Sequence, residues 1–132
     1  MKAKTVITLA PSLFVAAGVM ITAQPAINSV SDTPNLVKAP GYNTITANIT
    51  NSTSAYAEII YPNATPMGNF SMTQVVATTM WYYNHTYSYP GLLRTYSYIA
   101  KAHNATGWPK STMDNFVIQD ITASLLVTIL GL

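Results

Sequence analysis

In the stretch TITANIT, residues 44–50, apolar Ile45, Ala47 and Ile49 alternate with Thr44, Thr46, Asn48 and Thr50. A two-residue period does not match a helix, whose turn takes about 3.6 residues. It predicts a strand with one apolar and one polar face. Nearby segments share this character. AYAEIIY, 55–61, is a second strand candidate, ended by Pro62. TQVVATTMWYY, 73–83, and LLRTYSYIA, 92–100, are rich in β-branched and aromatic residues. NATPMGNF, 63–70, reads as turn, Tyr89-Pro90-Gly91 turns the chain, and HNATGWPKST, 103–112, reads as loop. The expected class is mainly β: an antiparallel, sandwich-like domain over residues 43–132, preceded by an apolar N-terminal segment that is either helix or donor strand.

That N-terminal segment follows the basic MKAK, residues 1–4. Residues 5–23, TVITLAPSLFVAAGVMITA, carry no charge. Lysines, an apolar run and a small residue at Ala23 read as a secretory signal cleaved after Ala23. The length also suits a retained membrane anchor, and a third reading is an apolar arm that packs into protein. Pro11 disfavours a straight helix. Residues 24–42 hold Pro25, Pro34, Pro40 and Gly41 and read as a linker. At the other end, residues 115–132 put Val117, Ile121, Ala123, Leu125, Val127 and Ile129 on one strand face. Ile118, Ile121, Leu125 and Ile129 also fall at helical spacing, and the Val, Ile and Thr content favours strand. Val6, Ile7, Leu9, Leu13, Phe14 and Val15, with Leu125, Val127 and Ile129, are the candidate assembly contacts.

Charge is scarce. Charged residues are 8% of the chain, against about 25% in ordinary soluble proteins, and Glu58 is the only one between Lys38 and Arg94. The net charge of +2 comes from six scattered basic residues, so an electrostatic grip on nucleic acid is not favoured. With 49% hydrophobic residues, disorder by low hydrophobicity is also disfavoured. Without cysteine there are no disulfides and no thiolate metal sites. Asp32, Glu58, Asp114 and Asp120 are the only side-chain carboxylates. A fold with so few acids should depend little on pH, because acid denaturation works mainly by protonating paired carboxylates. Adaptation to a harsh, acidic setting and simple drift toward uncharged surfaces both account for this.

The missing charge has a counterpart in N-x-[ST] triplets. They begin at Asn48, Asn51, Asn63, Asn69, Asn84 and Asn104, none with proline in the middle. Chance would supply roughly two. All lie between residues 48 and 106, and neither apolar terminus has one. Asn48 and Thr50 fall on the polar face of the 44–50 strand, Asn63, Asn69 and Asn104 in expected turns, and Asn51 between strands. Sugars there would keep a tyrosine-rich sheet soluble and blunt its edges. The bland alternative is that Asn and Thr are common in turns and on outward strand faces.

No catalytic constellation emerges, and no cofactor or metal is expected. His85 and His103 read as surface residues beside or within acceptor triplets. Asp114 and Asp120, on one strand face, would stand about 20 Å apart, too far for a glycosidase pair. Trp81, Tyr82, Tyr83, Tyr87, Tyr89, Tyr96 and Tyr98 form either a carbohydrate-binding face or, more often for such residues, packed pairs within a sheet.

A cysteine-free, charge-poor chain with these triplets, a β-rich body and an apolar residue run at 5–23 resembles the extracellular surface proteins of thermoacidophilic archaea. Among them it is most similar to donor-strand filament subunits such as thread-type pilins. The resemblance implies a β-sandwich completed by an apolar strand from an identical neighbour. The chain departs from archaeal type IV pilins, whose long N-terminal helix Pro11 and Pro25 would break. An archaeal virion coat protein would have nearly the same composition. The expected role is therefore a glycosylated, extracellular, non-enzymatic homo-oligomeric subunit, of a filament or a virion. The alternative is a surface binding module held to a membrane by residues 5–23, contacting carbohydrate through a Tyr/Trp face.

Overall fold

The computed structural model describes residues 23–88, 93–120 and 131. Nine strands run in chain order: β1 (Ala26–Thr33), β2 (Leu36–Ala39), β3 (Gly41–Thr50), β4 (Ser54–Ile60), β5 (Pro66–Ser71), β6 (Thr73–Gln74), β7 (Met80–Tyr87), β8 (Leu93–His103) and β9 (Asp114–Asp120). They form two sheets, one in the order β1-β3-β7-β6 and the other β2-β9-β8-β4-β5. Every pairing is antiparallel except β2 with β9. The chain is a mainly β, sandwich-like domain. The candidate assembly residues between 6 and 15, Leu125, Val127 and Ile129 lie outside the described residues, as does Tyr89.

Alternation places the core. On β3, Ile45, Ala47 and Ile49 are buried, and Thr44, Thr46, Asn48 and Thr50 turn outward. Ala55, Ala57 and Ile59 on β4, Tyr96, Tyr98, Ala100 and Ala102 on β8, and Phe116 and Ile118 on β9 meet them. Ala55 pairs with Ala102 and Ala57 with Ala100. Trp81, Ile49 and Met72 belong to the same buried cluster as these small side chains. The other end is aromatic. Tyr96 stacks on Phe116 at 5.7 Å, and Tyr87 meets Tyr96 edge-on at 5.3 Å, from the opposite sheet. Burying each large apolar side chain is worth roughly 1.5–3 kcal/mol. That gain holds the two sheets face to face.

Three segments differ from expectation. Residues 24–42 are not a linker: β1 is an edge strand of the first sheet and β2 an edge strand of the second. The prolines do not prevent this, because Pro25, Pro34 and Pro40 all fall between strands, just before β1, between β1 and β2, and between β2 and β3. Gly41 turns the chain from one sheet to the other, and a Cβ there would run into the Lys38 carbonyl oxygen. Residues 63–70 are turn only in their first part, and β5, with Asn69, is a strand at the edge of the second sheet. Residues 73–83 are not one strand. The hairpin from β6 to β7 bends at 75–79, where Ala77 takes φ 60° and Thr78 Oγ1 donates to the Val75 carbonyl. β-branched content does not distinguish a strand from a hairpin closed by side-chain hydrogen bonds.

The register sets where each terminus leaves. Ala26 pairs with Thr50, and Ser54, which follows on β4, pairs with His103. Residues 23–26 therefore lie at the end of the sandwich marked by Thr50 and His103. Gln119 on β9 pairs with Leu93, the first residue of β8. Residue 120 thus leaves at the opposite end. The 11 residues of β8 separate the two exits by about 35 Å.

Candidate functional site

The acceptor asparagines differ sharply in setting. Asn63, Asn69 and Asn84 are exposed, and Asn48 is half-buried on the outer face of β3. Their bonds run through the carboxamide oxygen. It accepts from the Thr65 backbone N–H and Oγ1 at Asn63, from Lys101 Nζ at Asn69, from Thr44 Oγ1 at Asn84 and from Asn28 Nδ2 at Asn48. Nδ2, the atom that would carry a glycan, is the other end of each group. Asn51 is exposed in the left-handed region, φ 58°, with a long 3.4 Å bond from Nδ2 to the Gln24 carbonyl. Asn tolerates that conformation better than most residues.

Asn104 overturns its expected role. It is 2% exposed, and its Nδ2 donates to the Ala23 and Asn51 carbonyl oxygens, both at 2.7 Å. Its Oδ1 accepts from the Thr106 backbone N–H and Oγ1, the same local turn seen at Asn63. The triplet thus has the local geometry of an acceptor but no room for a sugar. It works as a clasp where the chain enters β1, aided by Gln24 Nε2, which donates to the Thr106 carbonyl. Nothing in the triplet itself separates Asn104 from Asn63. The difference comes from residues 53 and 81 positions away.

The aromatic cluster is largely interior. Trp81, Tyr87, Tyr96 and Tyr98 are buried, Tyr83 is half-buried and packed against the core, and among the described members only Tyr82 is exposed. The exposed aromatic row is elsewhere, on the outer face of the second sheet. Trp108 stacks on His103 at 3.8 Å and lies alongside Tyr56 at 6.0 Å, 26° from parallel. Beside it, Lys101 Nζ is 2.7 Å from Glu58 Oε2 and donates to Asn69 Oδ1 at 3.0 Å. Tyr56, Asn69, Lys101 and Trp108 line a groove of about 460 Å³. Sequence reasoning missed this row because its members come from β4, β8 and the loop after it. A signal was present: an exposed Trp in a Gly-Trp-Pro loop.

Both histidines are half-buried, and they lie on different sheets. His85 is half-buried among Phe70, Tyr83 and Tyr87, with Nδ1 2.9 Å from Tyr83 Oη. Burial pushes its pKa down. His103 is held under Trp108 with Nδ1 3.5 Å from Ser54 Oγ. Asp114 finds a different acid from the one its spacing suggested. Tyr98 Oη lies 3.1 Å from Asp32 Oδ1 and 3.2 Å from Asp114 Oδ2. Asn43 Nδ2 donates to Asp32 Oδ2 and to the Pro34 carbonyl. Burial raises the Asp32 carboxyl above its usual range, the bonds from Asn43 and Tyr98 oppose this, and the Asp114 charge adds to it. Desolvation and the two neighbouring carboxylates push the Tyr98 hydroxyl far up, so it stays a donor.

These features define a class: a two-sheet β-sandwich with an outward Asn/Thr-rich face and an aromatic groove on the second sheet. No family model and no curated protein matches the chain. Among solved structures it is similar to the apo structure of Bacteroides uniformis beta-glucuronidase 3, with a TM-score of 0.54 and 12% identity. The match covers 71% of this chain and 12% of that one. The likeness is one of fold.

Proposed function

We propose that the chain is a non-enzymatic structural subunit of a glycosylated extracellular assembly, a filament or a virion, whose identical copies join through the apolar terminal segments. One observation carries this reading. Residues 5–22 precede one end of the sandwich and residues 121–132 follow from the other. Two apolar sequences joined to opposite ends of the described sandwich suit head-to-tail joining, which propagates where a single self-complementary patch would close. The exposed acceptor asparagines support the glycosylated surface. The alternative of a carbohydrate-binding module loses the residues it relied on, since most of that Tyr/Trp cluster is buried. No helix among the described residues is long and apolar enough to cross a membrane.

Electron microscopy of the native particle tests the reading, together with two variants of the full chain. Deleting residues 5–22, or replacing Val15→Asp, should abolish assembly while leaving the sandwich folded by circular dichroism. Particles that assemble normally from the deleted chain would overturn it.

A further inference from the structure

We propose that the groove on the second sheet is the seat of a glycan carried on Asn69, whose first sugars pack on Tyr56 and Trp108. The proposal rests on reading Asn69 as a glycan acceptor and names what that glycan touches.

Asn69-Phe70-Ser71 is an acceptor triplet on β5, and Asn69 itself lines the groove. Lys101 Nζ holds its Oδ1 at 3.0 Å. This fixes the plane of the carboxamide and so the direction in which a sugar on Nδ2 would leave. Asn69 pairs with Glu58 on β4 and Ser71 with Tyr56, so Tyr56 is the diagonal neighbour of Asn69, about 7–8 Å away, and the Trp108 ring lies 6.0 Å from that of Tyr56. A first sugar would reach Tyr56 and the next Trp108.

The floor and rim match a sugar's chemistry. A pyranose has a face of C–H groups and a rim of hydroxyls. Two nearly parallel aromatic rings offer the negative face to which C–H groups are drawn. The Lys101–Glu58 pair offers a donor and an acceptor at the edge. Trp108 is 59% exposed, yet its ring is fixed from behind by His103. A rigid, exposed Trp beside an acceptor asparagine is explained if a sugar covers it.

The test uses the native full chain. Glycopeptide mapping first reports whether Asn69 is modified. Acrylamide quenching then reads Trp108, because Trp81 is buried. Ser71→Ala removes the acceptor triplet while keeping Asn69 and its bond to Lys101. Covering a ring that is 59% exposed should roughly halve its contact with quencher, so quenching should rise about twofold in Ser71→Ala. Asn84→Gln, on the other sheet, should leave it unchanged. A bare Asn69 in native protein would overturn the acceptor reading at this position and the proposal with it. A modified Asn69 with equal quenching in native and Ser71→Ala proteins would overturn the proposal alone.

Discussion

The hydroxyl of Tyr98, on the second sheet, lies 3.1 Å from a carboxylate oxygen of Asp32, on the first, and so ties the two layers across the interior. One hydroxyl has one hydrogen, and Asp114 is also within reach at 3.2 Å. Both contacts are fully satisfied when one carboxyl is protonated and donates to the tyrosine oxygen. The arrangement therefore favours a bound proton.

The pH dependence follows from two opposing groups. The raised Asp32 pKa means that the folded chain keeps a proton the unfolded chain releases. Its stabilising contribution is full below the ordinary value of 3.8 and is lost as pH rises through the higher folded value. His85 works the other way: its contribution is present above 6.5 and is lost as pH falls through its depressed folded value. Thermal melts should show a shallow dip in mild acid and recovery near about pH 3. Asp32→Asn should remove the recovery and His85→Phe the dip. A steep, continuous fall of Tm in the wild type would contradict this.

Tyr98→Phe leaves two carboxylates without their shared donor in a partly buried site. It should cost about 1–3 kcal/mol at neutral pH, and less in acid, where one carboxyl can serve the other. Urea denaturation at both pH values measures the difference.

Asn104 should be unmodified in native protein even where Asn63 carries a sugar. Asn104→Ala should lower stability by about 1–3 kcal/mol, since the four hydrogen bonds of a buried carboxamide are lost. Asn63→Ala, at an exposed turn, should change it by about 0.5 kcal/mol or less. Site-resolved glycopeptide mapping and paired melts check both statements, and a glycan found at Asn104 would contradict the clasp.

Gly41→Ala should destabilise by about 1–3 kcal/mol, because the new methyl group meets backbone at Lys38 and not a movable side chain. In contrast, Ala77→Gly should stabilise by up to about 1 kcal/mol, since Ala77 is exposed at φ 60°. Chemical denaturation of the two variants gives opposite signs if the corner and the hairpin are as described.

Local pattern determined much of this protein. Alternation at Ile45, Ala47 and Ile49 was enough to place β3 and its buried face, because a strand's side-chain period depends only on the backbone. The same logic located β4, β8 and the mainly β class. The triplets marked Asn48, Asn63, Asn69 and Asn84 as polar and outward. What no segment could carry was its partner. β1 and β2 were hidden by Pro25, Pro34 and Pro40, which mark the breaks between short strands and not the absence of strands. Asn63 and Asn104 share one local turn, and only the return of residues 23 and 51 buries the second. The tyrosines looked alike along the chain, yet Tyr98 became interior and Tyr82 exposed because even-numbered positions point inward on β8 and outward on β7. The pairing of Asp32 with Tyr98, 66 residues apart, and the row of Tyr56, His103 and Trp108 were decided only when strands from distant segments were laid side by side.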